Sequence, residues 1–253
     1  VERDGAAFVI TLNRPRKKNA FNLEMKRELL AALGEAEADG NVRGLAISGG
    51  RDYFSAGQDL GEALAATSPE SVLEMVDSWH LLNDAMERHP KPILAAIEGF
   101  CLTGGFEMVM ACDIRIAAEG ASFAVTSSKI GTVAGAGGTQ RLPRLVGTAK
   151  ALEILFGAEP FDAAEALRIG FVNQVVPDGG ALERAKELIR LYRERAPLGL
   201  AFAKRAVRQG MQMDLRSGLE LERFILTTVY GTEDKREGIS AFLEKRQPRF
   251  TGK

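Results

Sequence analysis

Histidine, cysteine and tryptophan are scarce in this chain: its 253 residues include two histidines, two cysteines and one tryptophan. Cys101 and Cys112 stand beside apolar residues, which suits buried thiols in a reducing compartment better than a disulfide framework. His80 and His89 lack neighbours at a recognisable metal-ligand spacing, so both are read as structural or surface residues and no metal site is expected. No apolar run approaches the roughly 20 residues that cross a bilayer, and the opening Val1–Gly5 segment is charged rather than signal-like. An excess of one charge is also missing. The 33 Lys and Arg against 34 Asp and Glu give no global field that would gather nucleic acid or an anionic membrane. The expectation is a cytoplasmic protein with neither of those partners, in which any anionic ligand is held by local groups.

Against these absences, 45% apolar and 26% charged residues suffice for one sizeable core. Apolar runs rich in β-branched residues at Phe8–Leu12, Val42–Ile47, Ile93–Ile97, Ile114–Ala117 and Val172–Val176 read as buried strands. Helical spacing separates them at Leu23–Ala38, at Ser71–Glu87 and in a short segment opening at Gly104 and Gly105. That alternation predicts an α/β core with a largely parallel sheet. Beyond about Arg141 the pattern is mostly helical: Ala149–Phe156, Ala163–Ile169, Ala181–Arg195, Leu198–Met211, Gly218–Tyr230 and Asp234–Lys245. With no linker or repeat, residues 1–195 are assigned to the core and 196–253 to a helical C-terminal extension of the same domain.

Chemistry is sought where small residues follow a strand. In Tyr53–Leu60 they let backbone approach a ligand, and the Gln58 N–H is able to point into a pocket; an ordinary loop is the alternative. Glu98–Glu107 follows the strand at Ile93–Ile97 and opens a helix, whose first N–H groups are unpaired and carry the positive dipole end. Gly104 or Gly105 can aim one of them at developing negative charge, and with Gln58 would form an oxyanion hole for a thioester enolate. Glu107, in the first helical turn, is either a helix-start residue complementing the dipole or a partly buried acid/base, the former being favoured by sequence alone. The run from Gly131 to Pro143 fails both nucleotide fingerprints and reads as a backbone turn packed near the site. Ser55, Ser127 and Ser128 lack a nucleophile elbow, Trp79 reads as a packing residue, and the acidic runs 35–39 and 233–237 read as solvated faces.

Taken in order, five segments resemble the enoyl-CoA hydratase/isomerase (crotonase) family: Leu12–Pro15 with Asn19-Ala20, Phe54–Leu60, Gly104–Glu107, Ala136–Pro143, and Glu237–Phe242 with Glu244–Arg246. The resemblance spans essentially the whole chain. It implies a crotonase-like spiral of ββα units, with C-terminal helices that take part in a homotrimer or homohexamer. It implies an oxyanion hole from the Gln58 and Gly104 N–H groups, and coenzyme A running past Ala56, Gln58, Asp59 and Leu60. Arg14 falls where a basic residue meets the nucleotide end, and Phe242 and Lys245 where C-terminal residues touch a neighbour's coenzyme.

Two departures matter. Ser127 stands where typical hydratases carry their second glutamate, and serine does not move a proton to or from carbon near neutral pH without an activating base. Thr103 replaces a glycine common before the oxyanion donor. Glu107 is thus the one recognisable catalytic carboxylate. The resemblance implies syn addition of water to a 2-enoyl-CoA, with coenzyme A as part of the substrate and no separate cofactor. Enoyl-CoA isomerisation, or acyl-CoA decarboxylation or hydrolysis, is the alternative that Ser127 raises.

Overall fold

In the computed structural model, which describes residues 1–253, the apolar runs become strands whose alternate side chains enter two different cores. The elements up to the site are β1 (Glu2–Asp4), β2 (Ala7–Thr11), α1 (Leu23–Ala38), β3 (Gly44–Ser48), β4 (Tyr53–Ser55), α2 (Leu60–Ala65), α3 (Pro69–Arg88), β5 (Ile93–Ile97), β6 (Phe100–Leu102) and α4 (Gly104–Val109). There follow β7 (Ile114–Ala118), β8 (Ser122–Ala124), α5 (Gly138–Val146), α6 (Thr148–Gly157), β9 (Phe161–Asp162), α7 (Ala163–Arg168), β10 (Gln174–Val176) and α8 (Ala181–Arg193). Three helices close the chain: α9 (Pro197–Gly210), α10 (Leu215–Tyr230) and α11 (Glu233–Leu243). No helix is long and apolar enough to cross a membrane.

A six-stranded sheet has the order β1-β2-β3-β5-β7-β10, parallel except for the β1–β2 pair. Side chains alternate across it with the period of a strand. Phe8, Ile10, Leu45, Ile47, Ile93 and Ala95 face the larger core, while Ala7, Val9, Ala46, Leu94 and Ala96 face α8 through Ala185, Leu188 and Ile189. Being covered on both faces, these strands read as continuous apolar runs, which is why the sequence displays them.

The second sheet is short, four-stranded, and ordered β4-β6-β8-β9, with β4, β6 and β8 parallel. Strands of two or three residues carry no periodicity, so sequence reading passed over them. This sheet is what builds the site. Each of β3, β5 and β7 is followed by one of its strands, and the segments leaving β4, β6 and β8 therefore emerge side by side at one edge. Those segments carry Gln58, Gly104 and Ser127. The result is the successive strand–strand–helix repeat of the crotonase resemblance.

Two local readings are corrected. The run Gly131–Pro143 is not simply a turn: its glycines lead into α5, which opens at Gly138 and contains Pro143. Glycine's low helix propensity hid that start. The acidic run 233–237 is not wholly solvated either. Asp234 is buried and accepts from the Thr251 N–H (2.6 Å) and the Gly252 N–H (2.8 Å), tying the C-terminal tail to α11. His89 is buried between the Lys91 backbone and the Leu33 carbonyl, His80 is exposed, and both cysteines are buried and free.

Candidate active site

The loop after β4 and the start of α4 approach so closely that neither tolerates a side chain at its glycine. A Cβ on Gly57, where φ is +98°, would lie 3.1 Å from the Gly104 nitrogen, and a Cβ on Gly104 would lie 3.2 Å from the Gln58 nitrogen. The two nitrogens thus face the same small volume. Neither N–H has a protein acceptor. Gly104 is the first residue of a helix, where the amide is unpaired by construction. Gln58 is left free because its neighbours take the loop's backbone bonds: Phe21 N–H donates to the Gly57 carbonyl (2.7 Å) and Asp59 N–H to the Phe21 carbonyl (2.8 Å).

α4 is held rigidly. All six of its residues are buried, and the Phe106 ring stacks on Phe171 at 4.1 Å inside a cluster with Phe123 and Phe161. One turn beyond the Gly104 amide lies Glu107, only 2% exposed. Its Oε1 accepts from the Ala136 N–H and the Gly138 N–H, both at 2.8 Å. Its Oε2 has no protein partner, and among fully buried side-chain polar atoms only Asn83 Oδ1 is unpaired, so Oε2 reaches accessible surface. One oxygen is pinned and the other is open.

Burial pushes the Glu107 carboxyl up to about 7, against the opposing pull of the Gly138 and Ala136 amides and the Arg141 guanidinium. Glu107 is therefore a buried carboxyl with a raised pKa, not a solvated residue that merely complements the helix dipole. Gly138 is required at its place: a Cβ there would come within 2.8 Å of Glu107 Oε1 and 2.7 Å of the Ala134 Cβ.

Ser127 is buried at the start of a 3-10 turn, and its hydroxyl makes no hydrogen bond to the protein while reaching accessible surface. Beside it, Thr126 Oγ1 lies 3.0 Å from Thr103 Oγ1. Thr103 adopts φ +44°, a conformation strained for a β-branched residue. Three carboxylates on elements near the site, Glu62, Glu87 and Glu98, are each already engaged. Glu62 accepts from the Leu23 N–H at the start of α1, Glu87 pairs with Arg141 and Arg208, and Glu98 accepts from the Gly179 and Ala181 N–H groups at the start of α8.

Arg14 pairs with Asp59 at 2.5 Å, which holds the Asp59 carboxyl below the usual carboxylate range and fixes the β2 loop to the Gln58 loop. Ala56 is half-buried and Leu60 is exposed on the same segment. Phe242 and Lys245, at the exposed end of α11, make no polar contact with this group.

Sequence reading missed the supporting residues. Trp79 does pack, but its Nε1–H also donates to Gln58 Oε1 at 2.7 Å. Asn83 donates to the Ala136 carbonyl at 2.8 Å. Arg141, bonded to Glu87, donates weakly to the same carbonyl at 3.5 Å. The spacing of Trp79, Asn83 and Glu87 along one face of α3 was the available signal.

A profile described as enoyl-CoA hydratase/isomerase matches residues 2–253. The chain is 39% identical over 250 residues to a "Probable enoyl-CoA hydratase" of Bacillus subtilis, covering 98% of this chain and 96% of that one. It is 36% identical over 252 residues to the "Short-chain-enoyl-CoA hydratase" of Clostridium acetobutylicum, covering 98% and 95%. The solved enoyl-CoA hydratase of Bacillus anthracis superposes with a TM-score of 0.94 at 37% identity, over 100% of this chain and 98% of that one.

Proposed function

The chain belongs to the enoyl-CoA hydratase/isomerase family, and we propose that it adds water across the double bond of a 2-enoyl-CoA thioester. The observation that carries this reading is the divided Glu107 carboxylate, one oxygen fixed by two amides and the other open, on the helix whose first N–H is free. The thioester oxygen sits between the Gln58 and Gly104 N–H groups. Ionised Glu107 takes a proton from water as the water oxygen bonds to C3, and the C2–C3 π electrons move onto the thioester oxygen as an enolate. The two amides stabilise that charge. The enolate then collapses, and Glu107 returns the proton to C2. A single carboxylate working from one side delivers both pieces to one face, hence syn addition.

Water is the only co-reactant in this sequence, and coenzyme A enters as part of the substrate. Its path is along Ala56, Gln58, Asp59 and Leu60, with Arg14 near the nucleotide end. Phe242 and Lys245 serve a neighbouring subunit's coenzyme in a homotrimer or homohexamer. Supporting that assembly, α9 and α10 contain no buried residue and leave Val207, Leu215, Phe224 and Tyr230 exposed, as is Met211 just beyond α9. The compartment proposed is the cytoplasm.

Mixing the protein with 2-enoyl-CoA substrates of several chain lengths and following the conjugated-thioester absorbance tests the reading. Loss of absorbance that disappears in Glu107→Gln supports it; silence at every chain length refutes it. Ser127 favours one second reading, isomerisation, in which Glu107 shuttles a proton between C2 and C4 and no second group is needed. Mass spectrometry separates the two: hydration adds 18 Da, isomerisation adds nothing.

A further inference from the structure

Gln58 is gripped through its side chain as well as its backbone. Trp79 Nε1–H donates to Gln58 Oε1 (2.7 Å), and Gln58 Nε2–H reaches Glu62 Oε2 (3.5 Å). The same indole presses on the second donor, since a Cβ built on Gly104 would lie 2.8 Å from Trp79 Cζ2. One rigid side chain therefore bonds to the residue carrying one free N–H and packs against the residue carrying the other.

The indole is itself immobilised. It is 4% exposed, lies 4.9 Å from the Phe21 ring, and has the Lys26 ammonium 4.8 Å from its ring centre. A cation over an indole face draws electron density and makes the ring N–H a better donor. Phe21 also supplies both backbone bonds that flank Gln58, so the brace is continuous from α1 through Trp79 to the loop. One and two turns along the same face of α3, Asn83 bonds to the Ala136 carbonyl and Glu87 to Arg141, the groups that shape the Glu107 cradle.

We propose that Trp79 is the positioning residue of the oxyanion hole, setting the separation and aim of the Gln58 and Gly104 N–H groups through its bond to the Gln58 side chain. This rests on the acyl-thioester reading of the site. Trp79 touches no reacting atom. Displacing an oxyanion donor by a fraction of an ångström weakens transition-state binding while leaving the rest of the substrate's contacts in place.

The test uses the full-length protein with butyryl-CoA carrying ¹³C at the thioester carbonyl, a saturated ligand that binds without being hydrated. Its isotope-edited C=O stretch should shift to lower frequency on binding. Trp79→Phe keeps a ring against Phe21 but removes the N–H; Gln58→Leu, at a half-buried position, keeps the backbone donor but removes the anchor, and far-UV circular dichroism checks that both variants fold. Both variants should show a smaller carbonyl downshift and a kcat on 2-enoyl-CoA reduced roughly 10- to 100-fold, with KM little changed. The double variant should lose no more than the larger of the two single losses, because both cut the same bond.

A full downshift in Gln58→Leu, or additive losses in the double variant, overturns the proposal. Absence of any downshift in the unmodified protein with butyryl-CoA bound refutes the oxyanion reading, and this role with it. A full downshift in the unmodified protein that persists in the variants leaves that reading standing and removes only Trp79's part.

Discussion

Replacing Glu107 by Gln should make the protein more stable, by an amount that grows as the pH rises from about 4.5 to about 7 and is constant above that. The carboxyl is pushed from 4.5 to about 7 chiefly by burial. A carboxyl with a raised folded-state pKa holds its proton more tightly in the folded chain. Its contribution is therefore fully present below about 4.5 and is lost as the pH rises to about 7. At roughly 1.4 kcal/mol per tenfold change in proton affinity, ionised Glu107 costs the folded state about 3 kcal/mol. Glutamine mimics the protonated acid at every pH: its oxygen can accept from Ala136 and Gly138, and its amide NH₂ takes the place of the open Oε2. Urea unfolding of both proteins from pH 4.5 to 8.5, at one fixed protein concentration, should show no difference at the acid end. The variant should gain by about 3 kcal/mol above pH 7. Titrations elsewhere cancel in the comparison. The same ionisation sets the rate: kcat/KM of the unmodified protein should fall tenfold per pH unit below about 7. A stability difference that is flat with pH, or that favours the unmodified protein at pH 8, refutes the desolvated-carboxylate account.

Gly138→Ala drives a methyl to 2.8 Å from Glu107 Oε1, so kcat should fall on the order of 100-fold, measured by thioester absorbance. Thr103→Gly relieves a positive-φ conformation worth roughly 1–3 kcal/mol, whereas Thr103→Val keeps that strain and loses the bond to Thr126; chemical denaturation should rank glycine above valine by at least about 1 kcal/mol. Ser127→Glu restores a second carboxyl, and like-charge repulsion should move the acid limb of the pH–rate profile above 7, an unchanged limb showing that position 127 does not face Glu107.

Strands buried on both faces were legible because each reads as an apolar run; Ile93–Ile97 has identical bounds by sequence and by structure, as does the helix Leu23–Ala38. The second sheet was not, since β4, β6 and β8 are three residues each and get their identity from neighbours far along the chain. Yet it is that sheet which gathers Gln58, Gly104 and Ser127. Motif order carried what periodicity did not. Neither revealed that Arg14 and Asp59 hold each other, or that Glu62, Glu87 and Glu98 are each spent on a helix end or an arginine. Such pairings depend on contacts 39 to 121 residues apart in sequence.

The two departures from the family pattern are neighbours, and physical chemistry links them. β6 and β8 pair Leu102 with Ala124, so the residues just beyond, Thr103 and the Val125–Ser127 turn, leave the ladder together. Thr103 N–H extends that ladder to the Ala124 carbonyl, and its hydroxyl ties it to Thr126. Glycine at 103 would ease the backbone but would leave Thr126 without that partner. The strained threonine thus joins the segment that presents the Gly104 amide to the segment that presents Ser127. Burial already lifts Glu107 to about 7 against the pull of two amides and Arg141, so if position 127 faces it, a glutamate there would add a second ion and the two carboxylates would resist ionising together. Serine at 127 brings no such charge. Glu107 titrates close to neutrality, which is what the proposed hydration asks of a single carboxylate that takes a proton from water and returns it to carbon.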